Sequence, residues 1–262
     1  MTQKNSDLIF CRQGIVRFSY QGRVHYGLLS GQRLRVYQGS PFAGGQPGKA
    51  FAPLNKVRLL APCRPSKVVA VGLNYKAHAK EVDKPLPLEP MLFLKPSTSV
   101  IGPGQAILRP TISRRVDHES ELAVVLGRKC RLVSPDQAAD YILGYTCLND
   151  VTARDLQARD VQYSRAKGFD TFCPLGPAIT NEIDPRQVRV RALVNNKVRQ
   201  EANTSDMIFD VYQLVAFVSQ VMTLNPGDVI ATGTPSGISP LAAGDTVSIE
   251  VEGIGRLDNP VQ

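Results

Sequence analysis

Only one stretch of this chain reads as a long helix. NTSDMIFDVYQLVAFVSQVMTL, residues 203–224, has apolar residues nearly all round the helical wheel, which predicts a buried helix capped near Ser205. Elsewhere the apolar runs are short and are cut by turns. IVRFSYQG, VHYGLLSG and RLRVYQG alternate in strand fashion and end on glycine. KVVAVGL and MLFLK read as buried strands, and SPDQAADYIL as a helix capped by Ser134. YKAHAKE is a short helix that Asn74 could cap, and VTARDLQARDVQYSRA is partly helical. With 21 glycines and 19 prolines there is no βαβ alternation and no repeat, so a doubly wound sheet is excluded. The expected fold is α+β and β-rich, a mixed sandwich or barrel-like roll. A small β-rich N-terminal domain is expected over residues 1–62, followed by the main domain over 63–262.

Composition narrows the function classes. The longest apolar stretch, near residues 212–224, contains Gln213, Ser219 and Gln220 and is too short to cross a bilayer. The opening MTQKNSDLIF carries no signal-peptide pattern. A soluble cytoplasmic protein is therefore expected, with no membrane partner. The five cysteines form no CxxC pair, which argues for reduced buried thiols. The net charge of +8 is spread along the chain without a Lys/Arg run, so no nucleic-acid partner is expected and anionic small molecules suit the charge better. No GxGxxG, P-loop, GxSxG or HExxH is present.

Chemistry is suggested by the acids of VDHESELAVVLG. On a strand, Asp117, Glu119 and Glu121 point one way, as do Ala123 and Val125 beyond them. Two carboxylates on one face repel each other unless a cation lies between them, and their oxygens suit Mg²⁺ or Mn²⁺. An exposed edge strand with solvated acids is the competing reading. Asp150, at the end of GYTCLND, could be a third ligand or merely a helix cap. His78 and Glu81 are neighbours on a helix, which suits a carboxylate-oriented general base or a surface ion pair. Lys167, beside Gly168, reads as a loop lysine. GTPSG, residues 233–237, could cradle an anion or be a turn.

Together GLNYKAHAKE, LFLKPSTSVIGPG, DHESELAVVLG, GYTCLNDVTARDLQ, AKGFDTFCPLGP, VRQEANTSDMIFD and LNPGDVIATGTPSG closely resemble the fumarylacetoacetate hydrolase family, over about residues 65–262. The resemblance implies an enzyme with that family's β-sandwich roll, commonly a homodimer. It implies one Mg²⁺ or Mn²⁺ per chain on Glu119, Glu121 and Asp150, with Lys167 beside them. It implies that His78 and Glu81 form an acid–base dyad on a lid. Arg154, Gln157 and Thr234 would bind a small anionic 2-oxo acid. The implied reaction is hydrolysis of the C–C bond of acylpyruvates, or else isomerisation, tautomerisation or decarboxylation of related dienoic or oxaloacetate-like acids. The family often places a Trp after the Arg-Asp pair, where this chain has Tyr163 and no Trp at all. A basic binding module on an inactive scaffold would need a lost ligand, and none is missing.

Overall fold

The computed structural model describes residues 11–262; the opening MTQKNSDLIF lies outside the described residues. The fold is β-rich, and a 12-stranded sheet dominates it. Its middle is the strand Ser120–Leu126, flanked by Ile142–Asn149 on one side and Val229–Ala231 on the other. Val68–Gly72 and then Met91–Lys95 complete that edge. A second sheet of four strands (Arg189–Val194, Lys197–Asn203, Thr246–Val251, Gly255–Pro260) covers one face.

This layering explains the apolar run in SELAVVL. Leu122, Val124 and Leu126 enter the core between the sheets, against Val190, Ala192 and Ile249. Ala123 and Val125 enter a second core with Val68, Ala70, Leu148 and Ala231. Both faces are buried, so the strand cannot alternate apolar with polar. Each leucine, isoleucine or valine among them contributes roughly 1.5–3 kcal/mol on burial.

The long helix is shorter than the sequence indicates and starts later. It spans Val211–Val221, and Asp210 is its cap, accepting from the Tyr212 and Gln213 N–H groups. Ser205 lies in a preceding 3₁₀ turn, Thr204–Asp206. Only one side is buried, through Leu214, Val215 and Val218. Pro135–Tyr141 is a 3₁₀ helix, with Ser134 and Gln137 forming its capping box. Asn74 does not cap Lys76–Glu81, which begins after Tyr75. The Asn74 amide instead donates to Phe209 O and Thr232 O and accepts from Phe209 N–H, tying the start of this helix to the core.

The N-terminal strands Gln13–Tyr20, Arg23–Ser30, Arg33–Gln38 and Gln46–Ala52 form a meander around Val16, Phe18, Leu29 and Leu34. Gly22, with φ +76°, takes the left-handed position that the tight Tyr20–Arg23 hairpin requires. The meander joins the large sheet by pairing with Cys173–Thr180, at Ile15 opposite Ile179. Four of the five cysteines are buried and all are free. No helix of the described residues is long and apolar enough to cross a membrane.

Candidate active site

The ladder of the central strand breaks at Glu119. Val116–His118 pairs with Thr152–Ala153, and Ser120 onward pairs with Ile142–Asn149. Glu119 sits between these two pieces. Its N–H donates to the Asn149 side chain, and its carbonyl accepts from the Asp150 N–H, both at 2.9 Å. This break brings the end of one strand onto the end of its neighbour. Glu119, Glu121 and Asp150 thereby each offer an oxygen within 4.8 Å of the others, and all three are buried. The edge-strand reading of the two glutamates does not describe this arrangement, and Asp150 caps no helix: the next one, Arg154–Arg159, begins after Ala153.

A buried lysine and a partly buried arginine flank the triad. Lys167 ends a short helix, Ser164–Lys167, rather than lying in a loop, and is 2 % exposed. Its Nζ donates to Glu119 at 2.8 Å and to Asp150 at 2.6 Å, and lies 5.0 Å from the Phe93 ring centre. Phe93 in turn packs edge-on against Tyr163. Arg154 donates through Nε to Asp117, through Nη1 to Gln157 and through Nη2 to Glu119. These bonds leave one N–H on each terminal nitrogen for a ligand.

The environment divides the three acids. Burial acts to raise the Glu119 pKa, but Lys167 and then Arg154 outweigh it and hold the carboxyl well below the usual range. Burial raises Glu121 far above that range, and the charges of Asp150 and Glu119 add to the effect. Among the described residues no Lys or Arg is paired with Glu121, whose Oε2 accepts only the Gly233 N–H, at 2.8 Å. Three buried carboxylates, one of them lacking a cation, form a hard-oxygen set into which a divalent ion fits: it would replace the proton on Glu121.

His78 and Glu81 lie on the helix Lys76–Glu81. His78 Nδ1 is 2.8 Å from Glu81 Oε2; the imidazole is 6 % exposed, whereas Glu81 reaches it from the solvent side. The ring is close enough to the triad to help depress Glu119. The other Glu81 oxygen accepts the Gly237 N–H at 2.8 Å, so GTPSG reaches the dyad as well as Glu121. Thr234, at 3 % exposure, gives its hydroxyl proton to Ser120 O. No acceptor among the described residues takes the Thr234 N–H. A buried orphan N–H is rare without a ligand.

Lys95 carries no role in the sequence reading, although a lysine closing the apolar run MLFL is itself a signal. It is fully buried and donates to Asp150, Lys167 O and Val151 O at 2.6, 2.6 and 3.3 Å. Lys95→Met should destabilise the protein by about 1–3 kcal/mol, because these acceptors lose their donor; urea unfolding measures it.

Residues 67–262 match the family description "Fumarylacetoacetate (FAA) hydrolase C-terminal", most of the chain. The chain belongs to the fumarylacetoacetate hydrolase family. Residues 15–62 match a second description, "Rv2993c-like, N-terminal". A solved 5-carboxymethyl-2-hydroxymuconate delta-isomerase from Mycobacterium smegmatis is 48 % identical, with 95 % of this chain and 98 % of that one covered and a TM-score of 0.90. A maleylpyruvate hydrolase from Sphingobium sp. SYK-6, solved with manganese(II) and pyruvate, is 32 % identical over 95 % and 98 %, with a TM-score of 0.78. The human mitochondrial oxaloacetate tautomerase FAHD2A is 43 % identical over 80 % of this chain and 71 % of its own. This fumarylacetoacetate hydrolase family member is thus an enzyme, in the company of isomerases, tautomerases and hydrolases.

Proposed function

We propose that this enzyme uses one Mg²⁺ or Mn²⁺ to move a proton at C3 of small 2-oxo acids, interconverting oxo and enol forms. The observation that carries this reading is the buried His78 ring, held through Nδ1 by the solvent-facing Glu81 and close enough to the three buried carboxylates to act on Glu119. A divalent cation held by Glu119, Glu121 and Asp150 would supply Lewis-acid stabilisation of negative charge on the 2-oxo oxygen. Glu81 orients the imidazole through Nδ1, so Nε2 takes the C3 proton from the oxo form and returns one to the enol form. The spare N–H groups of Arg154, on the helix it shares with Gln157, and the Thr234 N–H orient the substrate carboxylate. Lys167 keeps Glu119 ionised, donates to Asp150 and supplies positive charge beside the oxo oxygen. Isomerase and tautomerase names among relatives more than 40 % identical support the proton-transfer reading.

Hydrolysis of acylpyruvates is the second reading. It is favoured by the same intact dyad, which could instead activate a water at the distal carbonyl, and by the likeness to the maleylpyruvate hydrolase. A panel of oxaloacetate, 2-hydroxyhepta-2,4-diene-1,7-dioate and acetylpyruvate, with product analysis, separates the two. The proposal expects tautomer or isomer exchange without pyruvate release from acetylpyruvate. Rapid pyruvate release would establish hydrolysis instead, and no turnover of any of the three would overturn both.

A further inference from the structure

Gln200, 1 % exposed on the strand Lys197–Asn203, joins several parts of the site. Its Oε1 accepts the Ser120 N–H at 2.9 Å and lies 2.9 Å from His118 Nδ1. Its Nε2 donates to Thr234 Oγ1 at 2.8 Å and to Pro235 O at 2.7 Å. A main-chain N–H can only donate and a carbonyl can only accept, so this amide has a single orientation. His118 must then present Nδ1–H to Gln200, and its Nε2 accepts the Ser239 hydroxyl at 2.8 Å. Thr234 Oγ1 accepts from Gln200 and passes its own proton to Ser120 O at 3.0 Å. That proton is spent inside the protein. What the loop retains for an anion is the Thr234 N–H.

Gln200 therefore plugs the strand break between the two glutamates with one end of its amide and pins the GTPSG loop with the other. We propose that Gln200 is a positioning residue for oxo-acid recognition. It fixes where the Thr234 N–H points relative to the three carboxylates, and Thr234 serves through its main chain rather than its hydroxyl. This assignment rests on the 2-oxo acid reading above and deepens it. No other side chain offers two donors and an acceptor in this shape; glutamate keeps the shape but turns an oxygen towards Pro235 O.

Gln200→Glu tests the assignment in the full-length protein through three readouts. Amide hydrogen exchange in residues 233–239 should accelerate by about tenfold or more, with the strand Ile142–Asn149 unchanged. Mn²⁺ affinity should stay within about twofold, since no carboxylate of the triad touches Gln200, and KM for oxaloacetate should rise about tenfold with a smaller change in kcat. Unchanged loop exchange would overturn the proposal, as would a parallel fall in Mn²⁺ affinity, which would assign Gln200 to the carboxylates instead. If the wild type turns over no oxo acid, the functional reading fails, while the exchange data still decide the role of Gln200. Should Gln200→Glu not fold, Thr234→Val removes only the hydroxyl relay and should speed loop exchange likewise; unchanged exchange there refutes the proposal.

Discussion

Glu121→Gln should weaken Mn²⁺ binding by more than about 100-fold, because changes to groups that merely support a ligand already cost 10–100-fold. The metal-free variant should nevertheless be at least as stable as the wild type at neutral pH. Glu121 is buried beside Glu119 and Asp150 without a cation of its own, and its pKa is raised far above the ordinary carboxylate range. Between the ordinary glutamate value, about 4.3, and that raised value, the metal-free folded protein binds more protons than the unfolded chain. Its stability therefore falls as pH rises through this window. Glu119 acts in the opposite sense but at lower pH, since its pKa is depressed and its contribution is lost only as pH falls. Glutamine at 121 removes the falling limb. Thermal unfolding with and without Mn²⁺ across pH 5–8 reads both effects: the metal-induced rise in Tm should grow with pH in the wild type and vanish in the variant. A wild-type rise that stays flat with pH would mean that no proton is displaced from Glu121.

His78→Ala should lower kcat by roughly 10²–10⁴-fold, the usual worth of a positioned general acid–base group. Mn²⁺ affinity should persist, since His78 stands outside the carboxylate triad. Glu81→Gln should lose less, because the imidazole survives with poorer orientation and the amide can still accept the Gly237 N–H. Full kcat in His78→Ala would remove the dyad from the mechanism.

The sequence made the site legible where composition was locally odd. Two glutamates entering an apolar strand, an aspartate closing another strand, and a histidine and glutamate one helical turn apart all stand out against their surroundings. The folded chain brings these residues together, with Lys167 and Arg154 among them. The break in the ladder at Glu119 could not be read, because it depends on side chains distant in sequence. Asn149 and Gln200 satisfy the N–H groups of Glu119 and Ser120 that a continuous ladder would have used. Lys95 was hidden for a similar reason, since its three acceptors lie 55 to 72 residues away. Caps were misplaced where several polar residues competed. Asp210 prevails over Ser205 because its carboxylate reaches two N–H groups of the first turn, and Asn74 is drawn away from the helix Lys76–Glu81 by its bonds to Phe209 and Thr232. The sandwich itself was legible as a class from strand alternation and turns, but not the way the N-terminal meander extends the large sheet through Cys173–Thr180.

In the proposed function three buried carboxylates hold one divalent ion on which turnover of a 2-oxo acid depends. The deciding measurement strips the enzyme with EDTA, removes the chelator, and follows oxaloacetate tautomerisation during a Mn²⁺ titration. Activity should be lost on stripping and should return in proportion to Mn²⁺, reaching its plateau at one ion per chain. Undiminished turnover by protein shown by elemental analysis to be metal-free would mean that the reaction needs no ion on these carboxylates.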